Sequence, residues 1–222
     1  MSKNIFIFAH GFGFSNQYWS NLLPYFQKEE WCFFDSSQKQ IYGKKYIGIG
    51  HSLGFAQLCS SGMKFECLIG LHGFLNFLGN QPALRAVRKR ALDKMICDFQ
   101  NDHINSLEKF HATCGYAFDS KNSGQNNIAP ASTVPSKIDL LKTLHLLNDT
   151  FCFSHQPQKT VILGANDDKI VPISIQKDNF AHMPNISMKF VPTANHCLGH
   201  NNIDFVYQAI RECINQCGID QC

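Results

Sequence analysis

The sequence contains a serine with a glycine two positions before it and another two positions after it, Gly50-His51-Ser52-Leu53-Gly54, directly after the apolar run 46–49. This pattern after a strand is typical of a sharp strand-to-helix turn that exposes a serine hydroxyl above a sheet. The glycines are needed where the flanking backbone packs too closely for a β-carbon. A motif this short also occurs in ordinary glycine turns, so Ser52 becomes a candidate nucleophile only together with other signals.

A second turn near the N-terminus could bind a developing negative charge. An apolar run over residues 4–9 leads into His10-Gly11-Phe12-Gly13. In hydrolases with such a turn, the N–H after His-Gly and the N–H after the nucleophile form an oxyanion hole. Here these donors would be the backbone N–H groups of Phe12 and Leu53. An ordinary glycine turn is the alternative interpretation.

Two short strand patterns in the C-terminal third each end at polar side chains. The first covers residues 160–165 and leads to Asp167 and Asp168, and the second covers 188–191 and leads to His196. The carboxyl ends of parallel strands meet at one edge of a sheet, where such folds place their ligands. We therefore expect these side chains to lie near Ser52.

Together these residues predict a catalytic triad. A serine hydroxyl needs an adjacent base, here His196, and a carboxylate orients that base and stabilises its charged form. The position four residues before Pro172 favours Asp168 over Asp167, which is expected to cap the turn. The chain order Ser-Asp-His is that of α/β-hydrolases and differs from the chymotrypsin and subtilisin orders.

Strand and helix patterns alternate along the chain. A first helix is predicted over 16–27, a strand over 31–35, a helix behind the serine over 55–61, a strand over 67–71 and a closing helix over 203–217. This alternation predicts an α/β fold with a mostly parallel central sheet flanked by helices.

One segment departs from the alternation. Residues 1–75 and 150–222 are expected to form the core, and residues 76–149 a helical lid inserted into it. The lid should begin with a helix at Pro82, whose predicted apolar stripe consists of Leu84, Val87, Ala91 and Met95. Further helices are predicted over 101–116 and 138–147. Candidate residues for an apolar substrate pocket are Phe99, Phe110, Phe118, Leu144 and Leu147.

The first lid helix also carries a basic cluster, Arg85, Arg88, Lys89, Arg90 and Lys94. By helical spacing, Arg85, Arg88 and Lys89 share one face, with Arg90 and Lys94 on an adjacent stripe. The cluster is either a solvated face or a docking patch for an acidic partner, where such charges mainly speed encounter.

Composition narrows the class of protein. The 222 residues are 44% hydrophobic, which allows one core, and the net charge of +3 is too small to predict nucleic-acid binding. No apolar run approaches the roughly twenty residues of a membrane span. The N-terminal apolar run is also too short for a signal peptide. A cytoplasmic protein is therefore expected.

The remaining cysteines and histidines are expected to be structural. The ten cysteines lack paired C-x-x-C spacing, so they predict reduced, buried thiols, and neither a metal nor a cofactor is expected. Cys213 and Cys217 share a helix face, but two thiols alone do not make a metal site. His51 and His72 are expected to be packing side chains, although His72 and Gly73 end a strand near the predicted pocket.

The motifs together resemble those of the pimeloyl-acyl-carrier-protein methyl ester esterases of biotin synthesis, of the BioH type. The likeness covers residues 10–13, 50–54, 168–172 and 194–196, and extends diffusely into the lid over 99–110 and 140–144. It implies an α/β-hydrolase fold and a cytoplasmic monomer. It further implies hydrolysis of the distal methyl ester while the acyl chain stays on acyl carrier protein, which the basic lid residues would contact.

The segment between Asp35 and Tyr46 is shorter than in BioH-type enzymes and resembles the compact BioG-type esterases, which are credited with the same reaction. A general short-chain carboxylesterase or thioesterase is the main alternative, since a triad does not specify the acyl group. A non-catalytic scaffold of the same fold is a further alternative, although such proteins usually lose a triad residue.

Overall fold

The computed structural model describes residues 4–37, 40–41, 43–116 and 135–219. Within these ranges a six-stranded sheet has the order β2-β1-β3-β4-β5-β6, and every neighbouring pair is parallel. The predicted parallel α/β sheet is confirmed. The strands are Asn4–Ala9 (β1), Glu30–Phe33 (β2), Lys45–His51 (β3), Cys67–Leu71 (β4), Lys159–Ala165 (β5) and Ile186–Val191 (β6).

Seven α-helices are found in the same ranges. They are Leu53–Ser60 (α1), Pro82–Asn101 (α2), His103–Cys114 (α3), Lys137–Leu146 (α4), Ile173–Phe180 (α5), Leu198–Asn201 (α6) and Ile203–Gln216 (α7). None of them combines the length and apolar character needed to span a bilayer.

The helix predicted over 16–27 was wrong. This segment instead forms two short 3₁₀ turns, Asn16–Trp19 and Leu23–Phe26. Pro24 lacks an N–H and disfavours helical geometry in the residue before it, so a continuous α-helix cannot pass through this point.

Both faces of the sheet are buried, as expected for parallel strands covered by helices. Side chains alternate along β1: Phe6 and Phe8 pack on one face, and Ile5 and Ile7 pack on the other. This arrangement fixes the strand register, because a one-residue slip would exchange the two sets of side chains.

Helices α2, α3 and α4 lie between β4 and β5 in the sequence, and α2 packs against both of the others. Helix α2 buries Leu92, Ile96 and Phe99. Of the predicted stripe, Leu84 and Met95 pack partly against this core, whereas Val87 is 60% exposed. Both sets of residues have helical spacing. The observed rotation places the bulkier side chains in the core, where burial is more favourable.

The strand order positions the candidate site. Because β1 lies between β2 and β3, the chain leaves the carboxyl ends of β1 and β3 in opposite directions along the sheet. Open α/β sheets bind their ligands in the crevice at such a switch point. The residues directly after these strands are His10 and Ser52.

Candidate active site

Ser52 occupies a strained turn between β3 and α1. Its backbone has φ 53° and ψ −119°, and its side chain is nearly buried. Such a conformation costs a non-glycine residue about 1–3 kcal/mol and persists only where its surroundings enforce it. Two hydrogen bonds hold the turn: the Ser52 N–H donates to the Leu71 carbonyl at 2.8 Å, and the Phe55 N–H donates to the Ser52 carbonyl at 3.1 Å.

The glycines around Ser52 are required by close backbone approach. A β-carbon at Gly50 would collide with the backbone of Phe55, and one at Gly54 would collide with the carbonyl oxygens of Ala9 and His10. These contacts press α1 against the end of β1. The motif therefore has the structural cause that its spacing predicted.

Two backbone donors stand near Ser52. Neither the N–H of Phe12 nor that of Leu53 has a protein acceptor among the described residues, so both are available to a ligand. The turn after β1 lies against the serine, since a β-carbon at Gly11 would come within 3.0 Å of Ser52 Cβ. Leu53 is also the first residue of α1, where the helix dipole favours negative charge.

The structure brings His196 to Asp168 and leaves Asp167 exposed. His196 Nδ1 lies 2.9 Å from Asp168 Oδ2, and both side chains are buried. The other carboxylate oxygen, Oδ1, accepts the N–H groups of Ile170 at 2.8 Å and Val171 at 3.0 Å. The two backbone N–H groups and the His196 ring thus all contact the Asp168 carboxylate.

His72, which the sequence analysis assigned to packing, is a member of the site. Its Nδ1 lies 2.7 Å from Asp168 Oδ2, and its side chain is fully buried. A ring nitrogen this close to a carboxylate oxygen favours the ionised form of Asp168. His72 follows β4 directly, as its position after a predicted strand indicated, so the rule of strand carboxyl ends that selected Asp168 and His196 applies to it as well.

The charge states follow from these contacts. Burial acts to raise the pKa of Asp168, but the His196 and His72 rings outweigh it and hold that pKa well below its usual value. Burial lowers the pKa of His72 and, more strongly, that of His51. The site therefore contains an ionised aspartate, with the His72 and His51 rings kept neutral by burial.

His51 supports the loop that carries His196. Its Nε2 donates to the His196 carbonyl oxygen at 2.9 Å, and its ring stacks on Tyr18 with centroids 4.1 Å apart. Besides packing, as predicted, His51 therefore also makes a polar contact with the backbone of the candidate base, His196. In this structure no hydrogen bond joins Ser52 Oγ to His196 among the described residues. Such catalytic contacts often form only when substrate binds.

A cavity of about 170 Å³ opens beside Ser52. It is mostly apolar, with two cationic side chains on its wall. This volume is below the roughly 300–1,000 Å³ of typical ligand sites. The lining residues are Phe12, Ser52, Phe77, Arg88, Ala91, Leu92, Met95, Phe110, Leu147, Lys169 and Ile170.

Of the predicted pocket residues, Phe110 and Leu147 line the cavity. Phe99 and Leu144 instead lie in the core behind it, and Phe99 packs edge-to-face on Phe12 with ring centroids 5.4 Å apart. Phe118 lies outside the described residues. The side chains contributed by the loops after β4 and β5, such as Phe77 and Ile170, were not predicted, because their approach depends on the tertiary fold.

The structure separates Arg88 from the rest of the basic cluster. Its Nε donates to the Phe77 carbonyl at 2.7 Å, its Nη2 donates to the Ile170 carbonyl at 2.9 Å, and its guanidinium stacks on the Phe77 ring. The predicted shared face with Arg85 and Lys89 therefore needs correction. Arg88 lies one helical turn before Leu92, so it continues the buried face of α2.

The other four cations of the cluster are exposed. Two of them are paired with aspartates one turn further along α2: Lys89 with Asp93, and Lys94 with Asp98. Arg85 and Arg90 have no acidic partner among the described residues. The unpaired positive charge of this surface is therefore carried by the two arginines.

Among the described residues, two groups have the composition of a metal site. In the group of His72, Asp168 and His196, the N···O distances are 2.7 and 2.9 Å. Tetrahedral zinc with bonds of about 2.0–2.1 Å would hold its ligand atoms roughly 3.3 Å apart. This group therefore has the spacing of direct contacts, and all three side chains are buried, so none of them has solvent beside it into which it could move to make room for a cation. The second group consists of cysteines at the opposite edge of the sheet.

No protein-family model matches this chain, and no curated protein matches it by sequence. Solved structures do match. A lipase-esterase related protein from Clostridium acetobutylicum has a TM-score of 0.66 at 13% identity, covering 96% of this chain and 95% of that chain. An esterase from Exiguobacterium antarcticum has a TM-score of 0.68 at 10% identity, covering 98% and 92%.

A Bacillus megaterium epoxide hydrolase, solved with an inhibitor, has a TM-score of 0.65 at 14% identity, covering 97% of this chain and 94% of that chain. At these identities the likeness concerns the fold alone. Together with the parallel sheet, it shows that the chain has the α/β-hydrolase fold.

Proposed function

We propose that the protein is a serine carboxylesterase that hydrolyses the methyl ester of pimeloyl-[acyl-carrier protein] methyl ester. The observation that carries the hydrolase part is the strained Ser52 turn, at the same sheet edge as the Asp168–His196 contact and beside an apolar cavity. The acyl group and its carrier are proposed from the sequence resemblance and from the exposed charge on α2.

The proposed mechanism depends on which ring nitrogen of His196 is available to Ser52. Because Nδ1 of His196 faces Asp168, Nε2 is left to accept the Ser52 hydroxyl proton. Ser52 Oγ then forms a bond to the ester carbonyl carbon. The resulting oxyanion accepts hydrogen bonds from the backbone N–H groups of Phe12 and Leu53. One such donor typically contributes about 3–4 kcal/mol to transition-state stabilisation.

The intermediate collapses when His196 returns the proton to the methoxide, which leaves as methanol. Water then attacks the acyl-enzyme with His196 as base, and the carboxylic acid and free Ser52 are released. Asp168 stays ionised throughout, orienting the ring and stabilising its charged form.

The carrier part of the proposal has a structural basis in α2. The inner face of this helix lines the cavity through Arg88, Leu92 and Met95. Arg85 and Arg90 are exposed on the same helix, roughly 140° apart around its axis, and Arg85 Nη1 also donates to Asn76 Oδ1 at 3.4 Å. An acidic carrier that contacts either arginine would therefore lie beside the cavity. Helices α2–α4 act as a lid in this proposal. They must shift to admit a long acyl chain, because the cavity is only about 170 Å³.

That small volume favours a second candidate, a carboxylesterase for short soluble esters. One experiment separates the two. Pimeloyl-methyl-ester acyl carrier protein is incubated with wild-type protein and with Ser52→Ala, and the carrier is analysed by mass spectrometry. Loss of one methyl group, with wild type only and with the thioester intact, is expected.

Release of the carrier from its acyl chain would identify a thioesterase instead. An unchanged carrier alongside hydrolysis of a small ester would favour the short-ester enzyme. Equal activity of wild type and Ser52→Ala would contradict the triad itself.

A further inference from the structure

Three cysteines meet at the amino edge of the sheet, away from Ser52. Cys67 begins β4, and Cys213 and Cys217 lie one helical turn apart at the C-terminal end of α7. Their three Sγ atoms all lie within 4.8 Å of one another, and those of Cys67 and Cys217 are 2.7 Å apart. From Cys67 to Leu71 the strand spans about 13 Å at roughly 3.3 Å per residue, which separates this cluster from the candidate active site.

We propose that Cys67, Cys213 and Cys217 bind one thiophilic d¹⁰ cation, Zn²⁺ or Cu⁺, through their three sulfur atoms. Thiolates select such soft cations over the harder Mg²⁺ and Ca²⁺. Cys67 and Cys213 are almost fully buried, whereas Cys217 is half-buried. The buried pair gives a sheltered site, and Cys217 lies where a cation can enter and where water can complete the coordination.

All three sulfur atoms take part in this site, which distinguishes it from a disulfide. A disulfide would join Cys67 and Cys217 at about 2.05 Å and leave Cys213 as an unused neighbour. Zinc–sulfur bonds of about 2.3 Å place the sulfur atoms roughly 3.8 Å apart and use every one of them. Reaching this spacing requires mainly an outward movement of Cys217, which follows the last residue of α7 and has solvent on one side.

The charges around the cluster suit a thiolate site. Three thiolates with Zn²⁺ carry a net charge of −1, and with Cu⁺ a net charge of −2. Lys159 is the direct partner of Cys67 in the β4–β5 register. The ammonium groups of Lys159 and Lys189 both act electrostatically on Cys213, although Lys189 also pairs with Glu212, and the Glu66 carboxylate acts in the opposite sense on Cys217. Lys159 is therefore the cation that offsets part of the negative charge that the bound site would retain.

The site is tested on the whole protein, reduced with a phosphine. Zn²⁺ and Cu⁺ are titrated separately and followed by native mass spectrometry, and Cd²⁺ serves as an optical probe through its thiolate charge-transfer absorption. We expect one cation per chain, the charge-transfer band, and protection of the three cysteines from alkylation.

Cys217→Ser is the informative variant, because its half-buried position should tolerate the change. Loss of even an outer-shell partner weakens metal binding about 10- to 100-fold, so loss of this ligand should weaken it roughly 100-fold or more. Cys152→Ser is the matched control, since Cys152 is an exposed thiol outside the cluster, and it should bind as wild type does. Thermal unfolding of both variants without metal checks their folding.

Three results would overturn the proposal. Binding that survives Cys217→Ser but is lost in His196→Ala would assign the cation to the histidine–aspartate group. A reduced protein that takes up no cation has no such site. Loss of two hydrogen masses on mild oxidation, without uptake of either cation under reducing conditions, would instead identify a disulfide pair.

Discussion

His72 and His196 direct the same ring atom, Nδ1, at one carboxylate oxygen, Asp168 Oδ2, over distances of 2.7 and 2.9 Å. The two rings lie 5.0 Å apart between centroids. Because both contacts favour the ionised carboxylate, His72 supports the charge on which the orientation of His196 depends. His72 is thus a positioning residue in the proposed mechanism, since it acts through Asp168.

Replacing His72 tests this positioning role. His72 has φ 53°, a conformation that asparagine tolerates better than most residues, so His72→Asn should fold. Loss of one contact to a charged group costs about 1.5 kcal/mol, which corresponds to a fall in kcat of roughly 10-fold. KM for a small ester should change little. The measurement is the pH profile of kcat and kcat/KM, and an unchanged kcat across the profile would make His72 a packing residue.

The two adjacent aspartates form a matched pair for mutagenesis. Asp168→Asn should reduce kcat by up to about 10⁴-fold, because an amide cannot stabilise the charged His196 ring and can favour the wrong tautomer. Asp167→Asn should leave kcat within about 2-fold of wild type, because exposed substitutions rarely affect stability or structure. Steady-state kinetics on one soluble ester compares the two, and equal losses would argue against the assignment of Asp168.

The sequence predicted those parts of the site that local chemistry determines. Ser52 became a candidate because the close approach of α1 to β3 and to the end of β1 requires Gly50 and Gly54, a constraint visible in the motif. Asp168 and His196 were found because each follows a short strand. His72 was also predicted to end a strand near the pocket, but it was assigned to packing because its contact with Asp168 depends on how β4 and β5 lie side by side.

The helices were harder to predict than the strands. On α2, the predicted stripe and the buried residues Leu92, Ile96 and Phe99 both have helical spacing, so periodicity could not fix the rotation of the helix. For the same reason Arg88 was grouped with the exposed cations. The cysteine cluster was missed because Cys67 is distant in sequence from Cys213 and Cys217, which alone share a recognisable spacing.

The buried histidines predict a loss of stability in mild acid. Burial lowers the pKa of His51 and His72 in the folded state, and the unfolded value is about 6.5. Below that pH the unfolded chain binds more protons, so the free energy of unfolding falls as pH falls, by at most about 1.4 kcal/mol per pH unit for each ring. Asp168, whose pKa is also lowered, extends the loss below about pH 3.9.

Urea unfolding at pH 7.5, 6.5 and 5.5 measures this slope. The variant His51→Gln should flatten the slope between pH 6.5 and 5.5, although it will also lower stability at pH 7.5 by removing the bond to the His196 carbonyl. His155, an exposed side chain, provides the control, and His155→Gln should keep the wild-type slope. A wild-type stability that does not change over this range would contradict the neutral state of the buried rings.

Arg88 is expected to hold α2 against the core. It donates to the carbonyl groups of Phe77 and Ile170, which flank the cavity. Arg88→Gln should reduce the free energy of unfolding by about 1–3 kcal/mol, because two carbonyl groups lose a charged donor. Arg90 is exposed, and its Nε donates only to the Ala86 carbonyl of the same helix. Arg90→Gln should therefore change the free energy of unfolding by no more than about 0.5 kcal/mol. Urea unfolding at neutral pH compares the two, and equal losses would assign Arg88 to the surface.

Docking of an acidic carrier on α2 predicts a selective effect of charge reversal. The double variant Arg85→Glu, Arg90→Glu replaces the two cations without acidic partners and leaves the cavity intact. We expect kcat/KM for the carrier-linked ester to fall at least about 10-fold at low salt, because opposite charges steer encounter and this steering is screened as ionic strength rises.

The corresponding control reverses two exposed lysines at the amino edge of the sheet, Lys28 and Lys64, which precede β2 and β4. It changes the net charge equally but lies away from the cavity, so the carrier-linked rate should stay within about 2-fold of wild type if steering is local to α2. A soluble short ester should be hydrolysed at the wild-type rate by both double variants. Equal losses on both substrates in the α2 variant would indicate damage to the fold. If the α2 variant loses no activity on the carrier-linked ester, the carrier does not dock through these two arginines of α2.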